Sequence, residues 1–253
     1  MLTIVRKAFL LCWLAQFLLA TGIAAPAQLA NATEPLVDAA WAVSHVGEEN
    51  IHFLDIRGGV AEEFDAEHVP GAVFGDYFHA GWRATGVDGT PGMLPPVDDL
   101  ERLIGGLGIA NANHVVIVAR GLSAIKMASA ARIFWTFKVL GHDAVSILDG
   151  GMTAYMTRPS APVESGPAAP EAQIFRAWFR AELIAGKAKV IAAQENGGVL
   201  LDLRPESQFS GARGPRFMVR KGTIAGARNL PLGRLTEGVR SRPPRPWRSC
   251  FPR

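Results

Sequence analysis

A motif that occurs twice in the same order is the feature that most constrains this 253-residue sequence. The run IHFLDIR at 51–57 ends in Asp-Ile-Arg, and HVPGAV follows at 68–73. The run GVLLDLR at 198–204 ends in Asp-Leu-Arg, and TIAGAR follows at 223–228, after a loop that is eight residues longer (21 positions against 13). Two ordered matches predict a duplicated domain, and chance similarity between two strand-and-turn patterns is the alternative.

The first copy alternates strand-like and helix-like segments. Its strand-like runs are nearly continuous in apolar and β-branched residues, which is typical of strands buried on both faces. The segments are a helix at 36–46, a strand at 51–57, a helix at 99–107, a strand at 114–119, a helix at 129–140 and a strand at 145–151. We therefore predict an α/β fold, with a parallel sheet covered by helices on both faces.

Domain boundaries follow from changes in composition. The first domain is predicted at 36–156, and the proline-rich, small-residue run RPSAPVESGPAAPEA indicates a linker at 157–173. The second copy is predicted at 174–236 and is incomplete, because an Arg/Pro-rich tail occupies 237–253. We interpret this ending as a shifted or prematurely ended reading frame, and a genuine short form with a basic tail is the alternative.

The N-terminal residues resemble a targeting segment. Arg6 and Lys7 precede the apolar run AFLLCWLAQFLLATGI, and small residues follow it. This order predicts a signal peptide at 1–32 and an exported, periplasmic protein with no stable membrane association after cleavage. A retained membrane anchor is the alternative, although the run is short for a span and is interrupted by Gln16.

The charge distribution and the histidine spacing bear on whether the chain binds nucleic acid or a metal ion. The last fifteen residues contain five arginines and no acidic residue, so the formal net charge of +3 is an effect of the tail. We therefore predict no nucleic-acid partner. The six histidines are scattered without the spacing of metal ligands, and we predict no bound metal.

Longer stretches of the sequence carry a family likeness. LDIR…FDAEHVPGAV, MLPPVDDLERLIGGLGI and AARIFWTFKVLGHDAVSILDGG resemble the first domain of tandem-domain rhodaneses, the thiosulfate and 3-mercaptopyruvate sulfurtransferases. VLLDLRPESQFSG…GTIAGARNLP resembles the start of their second domain. The resemblance implies sulfur transfer without a cofactor. A cysteine of the second domain would take sulfane sulfur from a small anionic donor such as thiosulfate, form a persulfide and pass the sulfur to a thiophilic acceptor such as cyanide.

The chain has two cysteines, and neither fits that role. Cys12 lies in the predicted signal peptide. In the first copy the strand before the equivalent loop begins 47 residues after His68, and the same interval from Thr223 leads beyond residue 253. Cys250 is therefore not equivalent to the family nucleophile, which we expect to be missing from this chain. A non-catalytic rhodanese-like module that binds an anion or a partner is the alternative function.

The first copy offers no substitute nucleophile. Its loop, VARGLSAIKMASAAR, has no cysteine, and we interpret the lone Ser123 as a helix cap. A first domain without catalytic activity is also what the resemblance implies.

Charged pairs at the strand ends are the remaining candidate site residues. Asp55 with Arg57, and Asp202 with Arg204, are predicted to support the following loops, and a catalytic role is the alternative. Gln208 lies where the resemblance implies a substrate-binding arginine. The second motif also has Thr223 and Ala225 in place of the histidine and proline of the first.

Overall fold

The computed structural model describes residues 33–59, 61–121, 123–215, 218, 220–237 and 240–241. The predicted signal peptide and nearly all of the basic tail lie outside these residues, as do both cysteines. Within the described ranges no helix is long and apolar enough to cross a membrane.

The first part of the chain, up to residue 156, forms a parallel sheet. Its strands are β1 (Leu36–Val37), β2 (Ile51–Asp55), β3 (Val73–Phe74), β4 (Ala84–Thr85), β5 (Pro91–Met93), β6 (His114–Val118) and β7 (Val145–Leu148). Five of them form one sheet in the order β1-β7-β6-β2-β3, with every neighbouring pair parallel. Strands β4 and β5 form a separate antiparallel hairpin. The predicted α/β class is confirmed.

Helices cover both faces of this sheet. They are α1 (Ala39–Ser44), α2 (Ala61–Ala66), α3 (Val97–Gly106), α4 (Ala124–Val139) and α5 (Gly151–Met156). Val115 and Ile117 of β6 belong to the core that contains residues of α3 and α4. Val116 and Val118 belong to the second core, with residues of α1, α2 and α5. Strand β6 is thus buried on both sides, as its continuous apolar sequence predicts.

Two predicted helix boundaries were wrong. Leu36 and Val37, predicted as helical, pair with β7, and α1 begins only after its N-cap Asp38, whose carboxylate accepts a 2.8 Å hydrogen bond from the Trp41 N–H. Helix α4 begins five residues before the predicted position 129. Local periodicity cannot show that a short apolar run completes the edge of a sheet.

Residues 157–183, here called the connecting segment, run along the first part of the chain. Glu164 exchanges two backbone hydrogen bonds with His68, of 2.9 and 3.0 Å. Phe175 is 1% exposed within the core that contains α3 and α4. The Trp178 N–H donates to the Leu140 carbonyl at 2.7 Å, and Arg180 pairs with Asp143. Packing against the first part therefore continues past the predicted boundary at residue 173.

The second part of the chain, from residue 184 onward, has fewer and shorter strands among its described residues than the first part. It contains α6 (Lys187–Glu195), β8 (Leu201–Asp202), α7 (Glu206–Phe209), β9 (Arg228–Asn229), β10 (Thr236–Glu237) and β11 (Arg240–Ser241). Strands β8 and β9 pair in parallel, and β10 and β11 pair in antiparallel. Apolar side chains of this part remain about half exposed, namely Val199, Leu201, Leu203 and Ile224.

Candidate functional site

Asp55 and Arg57 form a buried ion pair where β2 ends. Asp55 is fully buried and Arg57 is 5% exposed. The Arg57 backbone N–H donates to Asp55 Oδ1 at 3.0 Å, and Arg57 Nε donates to both carboxylate oxygens at 2.9 and 3.1 Å. Arg57 Nη2 also donates to the Glu67 carbonyl at 2.6 Å. The pair therefore ties the strand end to the residue that precedes His68.

His68 is held by its own set of contacts. Its ring stacks on Phe64 with centroids 3.9 Å apart, and Nδ1 donates to the Phe64 carbonyl at 2.7 Å. Nε2 lies 3.9 Å from the Glu164 carboxylate, which also accepts a hydrogen bond from the Gly71 N–H. Glu164 was not identified from the sequence, because a single acidic residue in a proline-rich run carries no periodic signal.

The second motif repeats this geometry. The Arg204 backbone N–H donates to Asp202 Oδ1 at 3.0 Å, Nε contacts both carboxylate oxygens, and Nη2 donates to the Gly222 carbonyl at 2.8 Å. Gly222 precedes Thr223 as Glu67 precedes His68. Thr223 Oγ1 donates to Asp202 Oδ2 at 2.8 Å, so the threonine binds the carboxylate directly. The two copies thus share one hydrogen-bond pattern despite the longer second loop.

The pKa values of the two carboxylates shift in opposite directions, because burial dominates at Asp55 and hydrogen bonds dominate at Asp202. Burial raises the pKa of Asp55, and the hydrogen bonds and charge of Arg57 offset part of that rise. The Asp202 side chain is 10% exposed and that of Arg204 is 33% exposed, and hydrogen bonds from Arg204 lower the pKa of Asp202 from 3.8 to about 2. The stabilisation from the Asp202–Arg204 pair is therefore fully present above pH 3.8, the ordinary pKa of an aspartate side chain. It is lost as the pH falls from 3.8 towards about 2.

The loop between β6 and α4 occupies the carboxyl edge of the sheet. Two of its backbone carbonyls accept hydrogen bonds from α5. The Ala119 carbonyl accepts from the Met152 N–H at 2.8 Å, and the Arg120 carbonyl accepts from Thr153 Oγ1 at 2.7 Å. Gly121 has φ +89°, and a Cβ there would lie 1.8 Å from the Gly150 carbonyl oxygen. Only glycine fits this close approach. The loop is therefore fixed against the turn that starts α5.

No described residue of this loop is a nucleophile with an adjacent base. The Ser123 hydroxyl oxygen accepts from the Lys126 N–H at 3.4 Å, so Ser123 is the N-cap of α4. Arg120 pairs with Glu63 of α2, a contact that no sequence pattern indicates. Gln208 lies in the short helix α7 beside the second motif. The described residues contain no group of three or more His, Cys, Asp or Glu that could hold a metal ion.

This fold, with a strand-end Asp–Arg pair and a loop that opens a helix, defines the class of the protein. Residues 38–158 match the family described as Rhodanese-like domain. The chain belongs to the rhodanese family, as the sequence resemblance predicts.

Individual relatives are sulfurtransferases. The 3-mercaptopyruvate sulfurtransferase of Homo sapiens is 31% identical over 222 residues, which cover 87% of this chain and 67% of that protein. The thiosulfate sulfurtransferase of Bos taurus is 31% identical over 194 residues, which cover 75% of this chain and 63% of that protein. The crystal structure of SseA from Escherichia coli, a 3-mercaptopyruvate sulfurtransferase, matches with a TM-score of 0.70 and 26% identity over 83% of this chain and 80% of that one.

Proposed function

We propose that the protein acts in sulfur transfer of the thiosulfate sulfurtransferase type. The observation that supports this proposal is the likeness of most of the chain to 3-mercaptopyruvate and thiosulfate sulfurtransferases. A cysteine thiolate, which in our proposal is neither Cys12 nor Cys250, attacks the sulfane sulfur of thiosulfate. The S–S bond of the donor breaks, and sulfite leaves with the bonding pair. Cyanide then attacks the outer sulfur of the persulfide, which forms thiocyanate and regenerates the thiolate.

The first domain supports this reaction without performing it in our proposal. Its loop has no cysteine among the described residues, and the cleft beside the loop has a volume of about 10 Å³, which is room for about one water molecule. In our proposal this cleft is therefore not the place of sulfur transfer.

The spacing of the chain argues against Cys250 as the nucleophile. In the first copy, 51 residues separate His68 from Ala119, the first residue after β6. Only 27 residues separate Thr223 from Cys250, too few for the helix and strand that precede the loop. We therefore propose that the cysteine of this reaction is neither Cys12 nor Cys250.

Thiocyanate formation from thiosulfate and cyanide tests this function. We expect the 253-residue chain to show no more activity than its Cys250→Ala variant. The DNA downstream of the Glu237 codon should contain, in another frame, a strand followed by a cysteine-containing loop. A chain with that frame restored should turn over thiosulfate, and alanine at its loop cysteine should abolish turnover. Activity of the present chain that disappears in Cys250→Ala would contradict the exclusion of Cys250, and an inactive restored chain would contradict the function.

We also propose that residues 1–32 are a signal peptide and that the protein is periplasmic. Mass spectrometry of the protein from its native host should find a mature N-terminus between residues 25 and 34, because small residues surround this region. An intact Met1 on membrane-bound protein would contradict the proposal.

A further inference from the structure

Arg132 on α4 is a half-buried cation with an unused donor. Its Nη2 donates to the Gly92 carbonyl of β5 at 3.1 Å, and its guanidinium carbon lies 4.7 Å from the centroid of the Trp135 ring. Its Nε is buried and has no hydrogen-bond partner among the described residues. A buried guanidinium N–H without an acceptor costs free energy, and an anion would satisfy it.

Arg83 lies against the same hairpin. Its guanidinium carbon is 5.3 Å from the ring centroid of Tyr77 and 5.5 Å from that of Phe78, whose side chain is about half exposed. A Cβ on Gly92 would lie 4.0 Å from Arg83 Nε, so both arginines flank this glycine. Burial, with a smaller contribution from Arg83, lowers the pKa of Arg132.

Arg83 and Arg132 have no carboxylate partner among the described residues, whereas six other arginines do. Arginines 57, 102, 120, 176, 180 and 204 each pair with a carboxylate. No carboxylate of the described residues forms an ion pair with Arg83 or Arg132, and the nearby acids are engaged elsewhere. Asp76 binds His79, Asp88 accepts from the Thr90 N–H, and Asp99 pairs with Arg102.

We propose that Arg83 and Arg132 form a binding site for a small oxyanion, a sulfur oxyanion or a carboxylate, beside the rings of Tyr77 and Phe78. Two guanidiniums next to aromatic surface present several N–H donors to one anion, and the partial burial of Arg132 strengthens its charge-assisted hydrogen bonds. The site belongs to the first domain and involves no cysteine. It is therefore independent of the sulfur-transfer proposal and is measured by binding alone.

Titration of the full chain with sodium sulfate at constant ionic strength tests the site. The Arg132 Nε–H resonance in nitrogen-15 NMR spectra, assigned by its loss in Arg132→Lys, should shift with saturation at millimolar sulfate. Arg83→Gln removes an exposed side chain and should weaken binding at least about tenfold, the loss expected for one charge-assisted hydrogen bond. Arg176→Gln, at an exposed arginine paired with Glu101, is the matched control and should leave the affinity unchanged.

Parallel titrations with thiosulfate and acetate distinguish the two ligand classes. Tighter binding of sulfate and thiosulfate would assign the site to sulfur oxyanions, and tighter binding of acetate would assign it to carboxylates. Either result supports the proposal. A linear, unsaturated shift with all three salts would overturn it, and so would equal affinities in Arg83→Gln and Arg176→Gln. Lack of sulfurtransferase activity has no bearing on this outcome.

Discussion

Asp55→Asn will lower the free energy of unfolding by about 3–5 kcal/mol, because it leaves the Arg57 guanidinium buried without a counter-charge. Arg57 is 5% exposed and water cannot replace the carboxylate. Urea unfolding followed by circular dichroism measures the loss, and the corresponding fall in melting temperature is roughly 10 °C for a domain of this size. This is a large part of the total stability of an ordinary domain.

Asp202→Asn is the matched control, since Asp202 and Arg204 make the same hydrogen bonds in a more exposed place. The Arg204 side chain is 33% exposed, so water solvates the guanidinium after its partner is removed. We expect a loss of about 1–2 kcal/mol, between the values for exposed and for buried ion pairs, because this pair is partly buried. Equal losses in the two variants would show that burial does not determine the cost and would contradict the prediction.

Phe175→Ala will cost about 3–5 kcal/mol of unfolding free energy, the usual range when a buried phenylalanine is truncated. Phe175 is 1% exposed, and its ring meets Phe137 edge-on with centroids 6.2 Å apart. Because Phe175 comes from the connecting segment, its loss should also release this segment from α3 and α4. Faster cleavage between residues 157 and 183 in limited proteolysis would report that release.

Phe179→Ala provides the comparison for this second variant. Phe179 lies four residues further along the same segment and is 46% exposed. Its truncation removes about half as much buried apolar surface, and we expect a loss of about 1 kcal/mol. If both variants are as stable as the original chain, the connecting segment does not contribute to the core and behaves as the flexible linker that its composition indicates.

The sequence by itself determined the fold class and the family. Strands β6 and β7 are continuous apolar runs, and such runs alternating with helices form a parallel sheet covered on both faces. The ordered repeat of Asp-x-Arg with its following turn also led to the residues that form the two ion pairs. These signals are local in the chain, because each depends on a few neighbouring residues and their periodicity.

Tertiary structure decided the features that depend on distant residues. Leu36 and Val37 form a strand only because β7 lies beside them, and the Pro-rich segment is held because Phe175 fills a place between α3 and α4. Arg83 and Arg132 are 49 positions apart in the chain, and the hairpin at Gly92 brings them together. Burial also makes the two Asp–Arg pairs differ in their expected contribution to stability, although their hydrogen bonds are alike. None of these contacts has a sequence period, since each is set by how the elements pack.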